Sequence, residues 1–315
     1  MLPSLFALSV LAVSQAPTPK AGAPVVLPAR WAADRFFVEP LTTDGKRLSL
    51  YTDTGGGLFL TEGATQRLGL AVEDGKPPSV RLPPFVPGAW IPGVGESGDR
   101  LPVMPKSARQ PPGINLGDGI LGQTWLAGHC WTFDYPGRKL LLRAEGDLPA
   151  VEHAHRVTLG FPVGGDGTRQ TNFPRIQAIV DGETLDLLLD TGATTALLPE
   201  AVKALGDGGP AERATSFITS STFARWRSRN AEWRVVEKAE TGTDQPMIEV
   251  PSLEVGGYSA GPVWFTRRPD PNFHEFMSQW MDRRVEGALG GNALRTFRVT
   301  VDYPSAIAAF ERPGR

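Results

Sequence analysis

Apolar residues in this chain come in short runs separated by polar and turn-forming residues, the spacing of strands and tight turns. "RFFVEPL", "TDG" and "KRLSLYT" predict a strand, a turn and a strand, and "RIQAIV", "DG" and "ETLDLLL" predict the same unit again. Each second strand runs into an aspartate, Asp53 in the first unit and Asp190 in the second. A carboxylate at the end of an aliphatic run is costly to bury alone, so the pattern asks for a partner. Gly55 and Gly192 then permit a sharp loop by taking positive φ. A short helix is predicted after each loop, starting at Thr61 or Glu62 and at Pro199, and stopping at Gly69 and Gly206. Hairpins are expected with turns at Tyr135–Arg138 and Tyr303–Ala306. Thr215–Val236 and Ile248–Phe265 read as strands. Pro271–Arg284 reads as a helix with Phe273, Phe276, Met277, Trp280 and Met281 on one apolar face, packed in the core.

The recurrence extends beyond single elements. Asp44–Gly69 aligns without gaps with Asp181–Gly206, sharing the Asp-Gly turn, the Asp-Thr-Gly and the closing Leu-Gly. Gly119–Leu142 aligns in the same way with Gly287–Phe310, and the shared Asp-Tyr-Pro at Asp134–Pro136 and Asp302–Pro304 is its clearest mark. The chain is an internal duplication. Between the matched blocks the halves diverge. Residues 71–118 are rich in proline and glycine and suggest a covering hairpin around Trp90–Gly98.

Composition narrows the class. The 36 glycines and 29 prolines favour an all-β fold with many turns over one with long helices. A net charge of -2 gives no reason to expect nucleic acid or an anionic membrane surface. The single cysteine, Cys130, excludes an internal disulfide and a cysteine metal cluster, and its apolar setting suggests a buried, unreactive thiol. Leu5–Val13 is too short to span a bilayer. With small residues following it, residues 1–16 are expected to be a signal peptide and 17–29 a Pro/Ala linker, which implies an extracytoplasmic protein, periplasmic or secreted. No later segment is apolar enough to cross a membrane. The two lobes would then occupy 30–149 and 150–315.

With these residues in view, the chain resembles the aspartic protease family, in the form of a retropepsin-like domain duplicated within one chain, bacterial in type, or a small pepsin-like enzyme. The resemblance rests on Asp53-Thr54-Gly55 with Ile120-Leu121-Gly122 and on Asp190-Thr191-Gly192 with Ala288-Leu289-Gly290, and it covers the chain from about residue 30 onward. It implies two β-barrel lobes related by a pseudo-twofold axis, with short helices. It implies Asp53 and Asp190 as the catalytic pair, sharing one proton and activating a water; the sharing is a known property of this family. Thr54 and Thr191 would cross-brace the loops, and Gly55 and Gly192 would turn backbone N–H groups toward the carboxylates. No cofactor and no metal is implied. The partner is a peptide or protein substrate, and a monomer suffices because both half-sites lie in one chain. Members of the family often carry Ser, Thr or Ala after Asp-Thr-Gly; here Gly56 and Ala193 stand there and neither loop supplies a hydroxyl, so a pH optimum less acidic than in members with Ser or Thr is expected. Thr52 is polar where an apolar residue is usual. No tyrosine falls in 71–118; Trp90 is one candidate for closing the cleft, and the choice of residue stays open.

The remaining motifs read as structural. Asp134 and Asp302 start hairpins. His153 and His155 lack a third ligand nearby, "LGFPVGGDGTR" is a turn and not a phosphate cradle, and Arg225, Arg227 and Arg229 alternate as on the solvated face of a strand. Two rivals exist. One is a catalytically inactive relative of the same fold that binds peptide or assembles with a partner. The other is a two-carboxylate glycoside hydrolase, which accounts for the acids but not for the duplication.

Overall fold

The computed structural model describes residues 19–93, 98–108 and 110–314. The expected signal peptide and the centre of the expected covering hairpin, residues 94–97, lie outside them. The described chain is built mostly of strands, with few and short helices. Alternation sets the faces: along Arg175–Val180, Ile176, Ala178 and Val180 point inward while Gln177 and Ile179 point outward. Glu183–Asp190 pairs antiparallel with that strand. The corresponding first-half strands are Phe36–Val38 and Leu50–Thr52, also antiparallel.

Each half has its own large sheet, eight strands in the first and nine in the second. In both, the strand that ends near the aspartate lies parallel to the repeated apolar block, Leu50–Thr52 beside Gly119–Leu121 and Glu183–Asp190 beside Gly287–Gly290. A six-stranded sheet joins the halves. At its centre Cys130–Asp134 pairs antiparallel with Arg298–Asp302. Thr132 and Thr300 face each other in that pairing with their hydroxyls 2.7 Å apart, and they are equivalent residues of the duplication. The approximate twofold axis therefore passes between them. Val25–Val26, in the stretch expected as linker, adds a strand to the edge of this sheet against Leu141 and Leu142. Among the described strands no sheet closes on itself into the barrel expected of each lobe.

The local punctuation follows the sequence. The first helix is Glu62–Leu68, with the Thr61 hydroxyl accepting the Ala64 N–H. Its counterpart is Pro199–Leu205, and both end in left-handed glycines, Gly69 and Gly206. Asp134 accepts the Gly137 N–H, as a hairpin start should. The Cys130 thiol is buried, and burial together with the nearby Asp302 pushes it up to about 12.

Four expectations need correction. Strand structure breaks off at Thr219 and returns only at Val235–Val236, and between them Ser220–Arg229 is a helix whose Thr222, Phe223 and Trp226 are buried at helical spacing. Arg225, Arg227 and Arg229 thus lie on a helix, where Arg225 and Arg227 pair with Glu183 and Glu237. Pro271–Arg284 is no regular α-helix. It is a π-helical turn, Asn272–Met277, followed by a 3₁₀ turn, Ser278–Trp280. The changed winding breaks the apolar stripe: Phe273, Met277 and Met281 are buried, while Phe276 and Trp280 are exposed. Trp90 belongs to the hydrophobic core and so does not close a cleft. Gly55 and Gly192 are absent from the glycines with positive φ, and another constraint fixes them.

Candidate active site

That constraint is close approach. A Cβ on Gly55 would stand 2.6 Å from Cγ of Asp190, and one on Gly192 would stand 2.1 Å from Cγ of Asp53. Each loop's glycine thus lies against the other loop's carboxyl, and no side chain fits between them. The two loops are tied at their base. The Thr54 hydroxyl donates to the Leu189 carbonyl at 2.5 Å and accepts the Thr191 N–H at 2.9 Å, while the Thr191 hydroxyl accepts the Thr54 N–H at 3.2 Å. Each carboxylate also accepts an N–H from its own loop, Gly55 to Asp53 at 2.9 Å and Gly192 to Asp190 at 3.0 Å.

Asp53 and Asp190 are hydrogen-bonded to each other. Burial raises both above the ordinary aspartate range. Asp190 is pushed well above it, because the Asp53 charge and the hydrogen bond to Asp53 add to burial. For Asp53, the bond from Asp190 and the N–H groups of Gly55 and Gly56 work against burial. Two carboxyls this close resist ionising together, so they titrate as a pair and not as separate acids.

The predicted site residues Asp53, Thr54, Gly55, Asp190, Thr191 and Gly192 all meet here. Thr52, the unexpected polar residue, is fully buried and satisfied by donating to the Phe36 carbonyl at 3.0 Å. Tyr51 was missed. Its ring stacks on Phe37 at 4.9 Å, and its hydroxyl donates to the Gly192 carbonyl at 2.6 Å and lies 2.7 Å from the Thr194 hydroxyl. Burial and the Asp53 charge raise the phenol's pKa, which keeps it a proton donor. The alignment held a signal for it, since a tyrosine stands where the second half has Leu188.

Asp53 and Asp190 both line a larger pocket, and Asp190 also lines a smaller one. The larger, about 730 Å³, is walled by Tyr51, Phe59 and Ile120 from the first half and by Thr194, Glu240 and Arg268 from the second. The Arg268 guanidinium holds the Glu240 carboxylate with two bonds of 2.7 and 2.8 Å, and the Thr195 and Thr243 hydroxyls complete it. The smaller pocket, about 330 Å³, is lined by Gly55, Asp190, Leu188, Phe217, Phe273 and Phe276. Exposed Phe276 thus faces solvent beside the pair, in place of the core position expected for it. His155 bonds the Gly256 carbonyl and stacks on Tyr258. Among the described residues no group of three His, Cys, Asp or Glu side chains is arranged to hold a metal ion, and no helix is long and apolar enough to cross a membrane.

No family model matches the sequence, and no curated protein matches it. Among solved structures, the chain is similar to the aspartic proteinase from Irpex lacteus, at 10% identity over 93% of this chain and 98% of that one, with a TM-score of 0.45. So distant a likeness assigns no chemistry.

Proposed function

We propose that the protein is an aspartic peptidase that hydrolyses peptide bonds within a chain, with Asp53 and Asp190 as its catalytic pair. One observation carries the reading: two carboxyls from equivalent loops of a duplication are hydrogen-bonded across the approximate twofold axis at the floor of a cleft lined by both halves. In the proposed reaction the Asp53 carboxylate takes a proton from a water whose oxygen attacks the scissile carbonyl carbon, while Asp190 gives its proton to the carbonyl oxygen. The resulting diol breaks down when Asp53 passes its proton to the leaving nitrogen and Asp190 recovers one from a diol hydroxyl. The C–N bond breaks, and both carboxyls return to their starting state. The substrate would lie extended across both pockets, hydrogen-bonded through its main chain. The reading of an exported enzyme rests on residues 1–16 of the sequence alone.

The test is a digest of a pooled peptide library across pH by the native protein and by Asp190→Asn. Cleavage by the native protein that the substitution abolishes is the expected result. A native protein that cuts nothing, or a variant that cuts equally well, overturns the proposal.

A further inference from the structure

Among the described residues, only Gly55 brings the first half to the smaller pocket; the rest of its lining comes from the second half. Its apolar wall is Leu188, Phe217, Phe273, Phe276 and Met277. The last three sit on the π-helical turn Asn272–Met277, which falls between the matched blocks of the duplication. The described residues of the corresponding first-half stretch form only strands and loops. Phe273 and Met277 are buried against Leu188 and Ala288, while Phe276 stays exposed at the rim. Arg268, which also lines this pocket, is neutralised by Glu240. The wall beside Asp190 thus offers apolar area and no free charge of its own.

Two bonds set how far this wall stands from Asp190. The Ser278 hydroxyl donates to the Phe273 carbonyl at 2.6 Å and accepts the Val285 N–H at 2.9 Å. His274 Nε2 lies 2.9 Å from Glu286 Oε2. Two bare lone pairs would repel at that distance, so this nitrogen carries the hydrogen and donates it. Both ties land on consecutive residues, Val285 and Glu286, which lead into Gly287–Gly290, the strand parallel to the one that ends in Asp190. Glu286 is itself held firmly. The Thr219 and Thr222 hydroxyls donate to Oε2 at 3.1 and 3.0 Å, and the Arg284 guanidinium lies 3.3 Å from Oε1. Burial would raise this carboxyl, but the bonds from His274, Thr222 and Thr219 outweigh it and hold it below its usual range.

We infer that the smaller pocket is the site for one substrate side chain, with Phe276 as the residue that selects it and His274, through Glu286, as the residue that positions the wall. The inference rests on the peptidase reading above and names the origin of its specificity. An exposed phenyl ring at the rim gains by being covered, so the selected side chain is large and apolar.

The experiment digests a pooled peptide library with the full-length native protein and with Phe276→Ala, and reads residue preference at each position around the cut. The native protein is expected to favour a large apolar residue over alanine by about tenfold or more in kcat/KM at one of the two positions flanking the cut. Phe276→Ala should erase most of that preference and leave the other positions as they were. On a peptide carrying the favoured residue, His274→Ala should raise KM about tenfold with kcat within about twofold. His274→Gln, whose amide can donate to Glu286, should restore KM. A native protein without the preference, or a preference that survives Phe276→Ala, overturns the inference and leaves the peptidase reading standing. So does a KM that His274→Ala does not change or that glutamine does not restore. If the native protein cuts nothing, the hydrolytic reading falls, and binding decides the inference. Two peptide pools are then compared on the native protein, alike except that one holds phenylalanine or leucine where the other holds alanine. Tighter binding of the first pool that Phe276→Ala abolishes supports the site, and equal binding overturns it.

Discussion

Tyr51 and Leu188 stand at equivalent places in the duplication, each two residues before its aspartate, and their side chains go different ways. Leu188 packs into a small apolar cluster with Phe273, Met277 and Met281 beside the smaller pocket. Tyr51 packs on Phe37 and Ile120 beside the larger pocket and sends its hydroxyl across to the loop of Asp190. The neighbours differ in the same sense: Gly56 and Gly57 follow the first Asp-Thr-Gly, while Ala193 and Thr194 follow the second and give Tyr51 a hydroxyl to meet. The Thr54–Thr191 tie is made from both sides, but the tyrosine brace runs only from the first half to the second. Symmetry of fold thus coexists with an unequal hold on the two loops.

The comparison can be broken most forcefully at the carboxyls. Asp53→Asn and Asp190→Asn should each lower kcat by about 10²–10⁴-fold, the range for losing a general acid or base. Near-native turnover from either variant on a library-derived peptide would show that the halves do not act as a pair. Next in size come the glycines. Gly192→Ala and Gly55→Ala should each cost about 10²-fold in kcat by displacing the opposing carboxyl. The Gly192 change should be the worse, because its Cβ would come nearer, at 2.1 against 2.6 Å. The reverse order in kcat would count against the unequal hold.

Much of this was legible in the sequence, because duplication writes the same physics twice. The Asp-Thr-Gly loops, the capped helices and the hairpins that begin at Asp134 and Asp302 recur at matched places, and repetition raises a weak local signal above chance. What repetition does not mark was lost. The helix at Ser220–Arg229 was hidden by alternating arginines, whose exposure reflects their carboxylate partners and not a strand face. The path of residues 110–116, where the Asn115 N–H donates to Glu212 and the backbone passes close to Ala196 and Gly242, is announced by no local pattern. Gly55 and Gly192 were identified correctly as necessary, but for the wrong reason: the opposing carboxyl dictates them, and no turn does.

A finer probe compares Tyr51→Phe with Leu188→Ala. Leu188→Ala removes buried methyl groups and should cost about 2–5 kcal/mol of stability, read from urea unfolding, while leaving the pH profile of kcat in place. Tyr51→Phe should cost only about 1 kcal/mol, because the Thr194 hydroxyl still donates to the Gly192 carbonyl at 2.9 Å. Yet it should shift the pH profile, since the loop holding Asp190 loses its brace. Identical profiles for native and Tyr51→Phe would reduce the tyrosine to packing.

The smallest effect concerns pH and stability. Both aspartates are raised in the folded protein, so the folded state holds a proton that the unfolded chain releases. The stability this proton represents is fully present below the unfolded aspartate value, about pH 4, and is lost as pH rises through the raised folded value. Asn at position 190 cannot ionise and removes the conflict between the two acids. Urea midpoints for Asp190→Asn should therefore exceed the native ones near neutral pH and converge with them toward pH about 3. A variant no more stable than the native protein near neutral pH would mean that the two carboxyls do not compete for one proton, and the unequal hold of the loops would then have no electrostatic consequence.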